Sequence, residues 1–174
     1  AGVRVLPVAD GTGWGELAAA SAYLGHLYLL DPLTNRVLKY PPSSRGYDLP
    51  AVEYFEAEVD VSNAADMSID GHVYVLHSDG RISKYLSGVD VPFPQSDLDR
   101  PLQAPSCIFV SGYMEEGGHV YVADGENQRI VQFSKDGQFM RQFRSREPKY
   151  MNELRSMFVD EAAKKLYVAN GRKL

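Results

Sequence analysis

Short runs of alternating apolar and polar residues recur along the chain and predict β-strands. The pattern is clearest at residues 36–40, 81–85 and 129–133. Period-two alternation bounded by Gly, Asp and Asn is the sequence signature of strands between turns. The 3.6-residue apolar period of an amphipathic helix is nearly absent, and only one short helical turn is expected, near 148–154. The chain is therefore predicted to be all-β.

The strand pattern repeats four times. Its most constant member is a tyrosine in an apolar strand, and these tyrosines are Tyr28, Tyr74, Tyr121 and Tyr167. A short apolar strand precedes each tyrosine strand and, in the first three copies, an alternating strand follows it. In the third copy an Asp-Gly turn at 136–137 leads to a fourth strand at 139–143. Four antiparallel strands in a repeat of about 46 residues are typical of a β-propeller blade.

The repeat boundaries predict one propeller region over 1–174, with blades at about 15–60, 61–104, 105–147 and 148–174. The last blade lacks its outer strands, so the chain is interpreted as part of a larger propeller. Residues 1–10 alternate like an outer strand, and they could complete the last blade within a closed ring or in a symmetric partner chain. Otherwise the blade edges stay open, and open edges favour self-association.

The third copy, residues 120–137, reads Val-Tyr-Val-Ala-Asp, then Asn-Gln-Arg-Ile, then a bend at Lys-Asp-Gly. This resembles the NHL repeat, a unit of six-bladed propellers. The first copy keeps Asp31, Asn35 and Arg36, whereas the second has His77 in place of the aspartate. The chain is also similar to propeller regions of bacterial proteins without an assigned role. The resemblance implies a fold and leaves the activity open.

Composition and charge narrow the classes of partner. The net charge is −5, from 18 basic and 23 acidic residues, with four histidines counted as neutral. A phosphate backbone would meet a mostly repulsive surface, so no nucleic-acid partner is expected. The one basic stretch, 141–155, is interrupted by acidic residues and is interpreted as a solvated face. No apolar stretch approaches the ~20 residues that span a bilayer, so no membrane partner is expected for this region.

The residues ending the four tyrosine strands are the candidate ligand-binding positions, because propeller loops gather there on one face. They are Asp31, His77, Asp124 and Asn170. Two Asp–Arg pairs with the same five-residue spacing, Asp31 with Arg36 and Asp124 with Arg129, are predicted to pin the turns through charge-assisted hydrogen bonds. Their expected role is structural.

Metal and catalytic centres are not predicted. His26, His72 and His119 recur two residues before a tyrosine, but equivalent positions on neighbouring blades lie too far apart to share one zinc ion. They are interpreted as turn or strand-start residues. Cys107 is the one cysteine and lies in an alternating strand, which favours a buried, inert thiol. No cofactor is expected.

These patterns lead to a functional hypothesis and two alternatives. The hypothesis is a non-catalytic sensor or scaffold domain that binds a protein, peptide or small ligand on the loop face. The first alternative is a propeller hydrolase or lyase with a metal-assisted site on the axis. The second is a structural scaffold that makes contacts only through its blade edges. An extracytoplasmic part of a bacterial membrane-attached protein is slightly favoured over a cytoplasmic location.

Overall fold

The described residues fold into three four-stranded antiparallel sheets and one two-stranded sheet, arranged as successive propeller blades. The structure is a computed structural model that describes residues 5–9, 13–112 and 117–171. The first blade contains β1 (Ala19–Tyr23), β2 (His26–Asp31), β3 (Arg36–Tyr40) and β4 (Val52–Glu53); the second contains β5 (Ala64–Ile69), β6 (Val73–His77), β7 (Ile82–Leu86) and β8 (Val89–Val91). The third contains β9 (Pro105–Val110), β10 (Val120–Asp124), β11 (Arg129–Phe133) and β12 (Phe139–Phe143); the fourth contains β13 (Leu154–Asp160) and β14 (Lys165–Asn170). A single turn of 3-10 helix, Pro148–Tyr150, precedes β13. The predicted all-β propeller of four-stranded blades is confirmed.

Tight turns set the strand pairing. Leu24 and Gly25 join β1 to β2 with φ of 46° and 79°. Positive φ at both central positions gives the turn whose twist suits an antiparallel hairpin. The register then places Ser21 opposite Tyr28, and alternate residues point to opposite sides of the blade.

Each blade has two apolar sides, and neighbouring blades bury them against each other. On the side facing the next blade lie the tyrosine and the residue two positions later, such as Tyr74 and Leu76. On the side facing the previous blade lie the two residues that flank the tyrosine, such as Val120 and Val122 of the third blade. The near-continuous apolar tyrosine strands are explained by this arrangement, because they are covered on both sides.

The first strands of successive blades lie beside one another, β1 by β5, β5 by β9 and β9 by β13. Side chains of one blade bond backbone groups of the next: Asp66 accepts the Ile108 N–H at 2.8 Å and Ser68 accepts the Val110 N–H at 3.1 Å. Burial raises the pKa of Asp66 above its ordinary value, although the N–H groups of Ile108 and Met67 oppose that shift. These bonds satisfy backbone donors on an otherwise open strand edge.

The N-terminal segment packs on the first blade. Tyr47 accepts the Ala9 N–H at 2.6 Å and donates its own N–H to Pro7 at 2.9 Å. The described part of the segment predicted to complete the last blade, residues 5–9, thus contacts the first blade, and residues 1–4 and 10 lie outside the described residues. Completion of the last blade within a closed ring or in a partner chain stays a prediction. Within residues 5–9, 13–112 and 117–171, β14 has no third strand beside it.

No helix in the described ranges is long and apolar enough to cross a membrane.

Candidate functional site: a polar pocket between the third and fourth blades

The four loop-face residues predicted from the sequence end the second strands of their blades, at the ends of β2, β6, β10 and β14. Asp31 shows their role. Its carboxylate accepts the backbone N–H groups of Gly15 at 2.7 Å and Glu16 at 3.1 Å, and so ties the loop that enters the first blade to the β2–β3 turn. Burial opposes ionisation of Asp31, but the bonds from Gly15, Thr34 and Glu16 outweigh it and hold its pKa below the ordinary value.

Asp124 does the same in the third blade. It accepts the Gln103 N–H at 2.8 Å, the Asn127 amide at 2.9 Å and the Arg129 Nε–H at 2.6 Å. Both Asp124 and Arg129 are fully buried. The guanidinium of Arg129 also donates to Asp99 and to the Arg100 carbonyl, each at 2.6 Å. This network fixes the entering loop and leaves Asp124 enclosed.

Asn170 repeats the arrangement without a charge. Its carbonyl oxygen accepts the Glu153 N–H at 2.9 Å, and its amide donates to the Lys149 carbonyl at 2.8 Å. An amide therefore fits this repeat position as well as a carboxylate does.

His77 reaches the entering loop through a side chain. Its Nδ1 lies 2.6 Å from the Asn63 amide oxygen and its Nε2 lies 3.0 Å from Ser83 Oγ. The Arg81 guanidinium also lies 3.0 Å from Nδ1. Both ring nitrogens thus have polar partners, and the tautomer decides which of them donates. Burial, together with the Arg81 guanidinium, lowers the pKa of His77 to about 4.

The structure therefore gives the four predicted ligand positions internal partners. Asp31, His77 and Asp124 are fully buried. The four residues lie on four different blades, and each forms its hydrogen bonds within its own blade.

One predicted turn pair needs correction. Arg36 does not bond the Asp31 carboxylate but donates to Thr34 at 3.0 Å and to the Gly13 carbonyl at 2.6 Å. The Asp31 carboxylate is already occupied by backbone N–H groups, so the guanidinium turns outward and reaches Glu53 at 3.3 Å. Five-residue spacing alone does not decide which bond forms.

A second candidate site lies elsewhere in the structure. A cavity of about 460 Å³ lies between the third and fourth blades. Its lining includes residues of β10, β11, β12 and the β13–β14 hairpin: His119, Tyr121, Gln132, Arg141, Phe143, Val159, Asp160, Glu161, Lys164, Lys165 and Leu166. Apolar and aromatic walls with a few convergent polar groups are typical of a ligand site.

The carboxylate of Glu161 organises one wall. Its Oε1 receives hydrogen bonds from Ser111 Oγ at 2.5 Å, Tyr121 O–H at 2.7 Å and His119 Nδ1 at 2.8 Å. Partial burial opposes ionisation, but these three donors lower the pKa of Glu161 below its ordinary value. Burial and the Glu161 carboxylate in turn raise the pKa of Tyr121. Glu161 is thus a fixed anion and Tyr121 a fixed donor.

Gln132 supplies a buried acceptor. Its side chain is 3% exposed, and its Nε2–H donates to the Tyr121 oxygen at 3.0 Å. Its Oε1 is buried and has no hydrogen-bond partner among the described residues. Leaving a buried carbonyl oxygen without a donor costs about 1–3 kcal/mol of free energy. A ligand N–H or O–H group that donates to it recovers that free energy.

The second blade shows what fills the corresponding space there. Lys84 stands at the β7 position equivalent to Gln132, and its Nζ donates to the backbone carbonyl of Lys135 at 3.0 Å. Lys135 belongs to the turn between β11 and β12, so a turn of the third blade covers the second blade at this point. The fourth blade has no such turn among the described residues, and the space above Gln132 is open.

Three cations line the same cavity: Arg141, Lys164 and Lys165. The sequence pattern predicts a solvated face at Arg141 and a turn or strand-start role for His119. The site is not visible in that pattern, because its lining residues come from different repeats. The available signal was a disagreement between copies, since Lys39 and Lys84 stand where the third copy has Gln132.

One predicted alternative was a metal-assisted site on the axis. In the described ranges, no group of three His, Cys, Asp or Glu side chains is placed to hold a metal ion.

Comparison with known proteins supports the fold. The family model of the NHL repeat matches residues 113–133. No curated protein matches the sequence. Virginiamycin B lyase from Staphylococcus aureus superposes with a TM-score of 0.60 at 14% identity, covering 88% of this chain and 48% of that one. A protein of unknown function from Bacteroides thetaiotaomicron gives 0.62 at 15% identity, covering 92% and 43%. A chain of a nidogen–laminin complex gives 0.55 at 15% identity, covering 78% and 50%.

The chain thus spans about half the length of these solved structures. It is an NHL-repeat-like partial β-propeller.

Proposed function

We propose that the chain is a non-catalytic binding module that takes a short acidic peptide segment in the pocket between its third and fourth blades. The observation that carries the proposal is that Gln132, which lines this cavity, has a buried side-chain Oε1 without a hydrogen-bond partner among the described residues. An amide N–H of the ligand satisfies it. A carboxylate of the ligand lies against Arg141, Lys164 and Lys165.

The second blade supports the choice of a peptide. There, the equivalent space is occupied by a β-turn whose backbone bonds Lys84. A ligand that presents a turn-like backbone reproduces the packing that the repeat already uses. Aromatic walls from Tyr121 and Phe143 contact its apolar parts.

The test is calorimetric titration of the full chain with an acetylated and amidated Asp-Gly-Asp-Gly peptide. Sodium succinate is the control for charge without an amide, and a Lys-Gly-Lys-Gly peptide is the control for amides without the negative charge. The acidic peptide is expected to bind at least about tenfold more tightly than either control. Equal affinity for succinate contradicts amide recognition, and failure of the acidic peptide to bind contradicts the proposal.

Two variants locate the binding. Gln132→Met keeps the side-chain length and removes the acceptor, and Arg141→Gln removes one cation; each is expected to weaken binding about tenfold. Arg146→Gln is the matched control, because Arg146 belongs to the same basic stretch and does not line the pocket. An unchanged affinity in Gln132→Met places the peptide elsewhere.

A second candidate, an acid–base enzyme in the same pocket, is favoured by one contact. His119 Nδ1 lies 2.8 Å from a Glu161 oxygen, an arrangement that can orient an imidazole for proton transfer. The peptide is incubated with the wild type and with His119→Gln, and the products are examined by mass spectrometry. Unconverted peptide supports the binding module, whereas conversion that His119→Gln abolishes supports the enzyme.

A further inference from the structure

The arginines that stand opposite the last residue of the second strand differ in their ion pairs from blade to blade. Arg36 of the first blade reaches the Glu53 carboxylate at 3.3 Å. Arg129 of the third blade is paired with two carboxylates, each at 2.6 Å. Arg81 has this position in the second blade, where its carbonyl accepts the His77 N–H at 2.8 Å. Among the residues that the structure describes, Arg81 forms no ion pair.

Two uncharged side chains hold the Arg81 guanidinium instead. Its Nη1 donates to Ser83 Oγ at 2.7 Å, and its Nη2 lies 3.0 Å from His77 Nδ1. Burial, together with the Arg81 guanidinium, keeps the pKa of His77 at about 4, so the imidazole is uncharged in neutral solution. The third blade has Asp124 and Val131 where the second has His77 and Ser83. The second blade thus holds its arginine in place without neutralising it.

The two carboxylates nearest in sequence to this turn are engaged by other groups. Asp79 Oδ1 accepts the backbone N–H of Arg81 at 3.0 Å, and its Oδ2 accepts the Asn63 amide at 3.2 Å. Asp60 Oδ1 accepts the N–H and the O–H of Ser62, at 3.0 and 2.6 Å. Neither of these described carboxylates forms an ion pair with the guanidinium, so an anion from solution has access to its charge.

Arg81 lines a crevice of about 350 Å³ between the β6–β7 turn and the segment that leads into the third blade. Much of the remaining lining is apolar. Leu98 and Leu102 pack in the core between the second and third blades, and Pro101 lines the crevice with them. Asp79 is the one carboxylate of the described lining. A cation beside apolar walls suits a single carboxylate on an apolar body, and Asp79 disfavours a second negative charge.

Gln95 joins the two sides of the crevice. It lies in the segment that leads into the third blade, and its Oε1 accepts the Ile82 N–H at 2.9 Å. Its Nε2 donates to the Gly80 carbonyl in the β6–β7 turn at 3.0 Å. These two bonds fix the walls before a ligand arrives, which reduces the cost of ordering them on binding.

We propose that this crevice is a second binding site, which takes a small monocarboxylate with an apolar body. The ligand carboxylate accepts N–H groups of the Arg81 guanidinium, and its hydrocarbon part lies against Leu98 and Leu102. In the third blade, Arg129 meets two carboxylates at the equivalent position, so the ligand supplies what the second blade lacks. The site is separate from the peptide pocket, because the described linings of the two share no residue.

Ligand-observed saturation-transfer NMR on the full chain tests the site, with sodium isocaproate as the probe. Two matched compounds each lack one half of it: isohexyl alcohol has no carboxylate, and acetate has no apolar body. Isocaproate is expected to bind with a Kd of about 1 mM, at least about tenfold more tightly than either compound. Equal affinity for the alcohol or for acetate overturns the proposal, and so does an absence of isocaproate binding at about 20 mM.

Variants locate the binding. Arg81→Gln is expected to weaken isocaproate binding at least about tenfold. Arg36→Gln is the matched control, because Arg36 has the same repeat position and already bonds Glu53, and it is expected to leave the affinity unchanged. An unchanged affinity in Arg81→Gln overturns the proposal. A loss in Arg141→Gln instead places the carboxylate in the peptide pocket and overturns it as well.

Circular dichroism verifies that each variant is folded. If Arg81→Gln does not fold, the three compounds compared on the wild type still decide between binding and no binding of the predicted kind.

Discussion

The buried Asp124–Arg129 pair gives a sharp prediction through the repeat. Asp124 and Asp31 occupy the same position in different blades, and Asn170 shows that an asparagine fits there. The substitutions Asp124→Asn and Asp31→Asn therefore make the same chemical change in matched geometry. They differ in one respect, because only Asp124 neutralises a fully buried guanidinium.

The magnitudes follow from that difference. Removing one partner of a buried ion pair costs about 3–5 kcal/mol. Arg129 retains Asp99 at 2.6 Å and the Arg100 carbonyl at 2.6 Å, so the cost of Asp124→Asn is placed at the lower end, about 3 kcal/mol. Asp31→Asn replaces charge-assisted bonds to backbone N–H groups by neutral ones and is expected to cost about 1 kcal/mol.

The assay is urea unfolding at pH 7, followed by far-ultraviolet circular dichroism, with thermal melts in parallel. The midpoint temperature is expected to fall by about 6–12 °C in Asp124→Asn and by about 2–4 °C in Asp31→Asn. Equal losses in the two variants would refute the reasoning, because they would show that the buried guanidinium does not depend on Asp124 for its charge balance.

Three further predictions follow from buried groups and turns. The pKa of His77 is held at about 4, below its ordinary 6.5, so between these pH values unfolding takes up a proton at this imidazole. Stability should therefore fall as the pH drops from about 6.5 to 4, and His77→Gln should flatten that part of the plot of urea midpoint against pH. Burial raises the pKa of the Cys107 thiol to about 12, so iodoacetamide should label it only in denaturant; labelling of the folded chain at pH 8 contradicts this. Gly88 has φ +83°, and a Cβ there would press onto the Tyr54 carbonyl, whereas Gly25 has φ +79° and the atom nearest to an added Cβ is 3.6 Å away. Gly25→Ala should therefore lower the free energy of unfolding by about 1 kcal/mol and Gly88→Ala by at least twice that, as measured by urea unfolding.

The fold could be predicted from the sequence because it rests on short-range signals. Strand periodicity, turn residues and the spacing of the tyrosines together specify four-stranded blades, and the structure confirms them. Tyr167 is 51% exposed, which could not be read from the repeat, because its motif matches those of Tyr28, Tyr74 and Tyr121. Burial at that position depends on the neighbouring blade, and a local motif carries no information about its neighbour.

The candidate site was hidden for a related reason. Gln132 and Glu161 belong to different repeats, and their proximity depends on how the third blade packs on the fourth. Five-residue spacing also overstated the likeness of two turns, since Arg129 bonds Asp124 while Arg36 turns away from Asp31. The substitution of glutamine at the position of Lys84 was the one local sign that this junction differs.

The bonds that fix each entering loop have a consequence for the order in which the chain assembles. Asp31, Asp124 and Asn170 reach backbone donors only 16, 21 and 17 residues earlier in the chain. A blade that emerges from the ribosome therefore already contains the donor and the acceptor of the bond that fixes its entering loop. Formation of that bond does not require the neighbouring blade. Blades can form one after another during synthesis, and the exposed side of each folded blade is the surface on which the next blade packs.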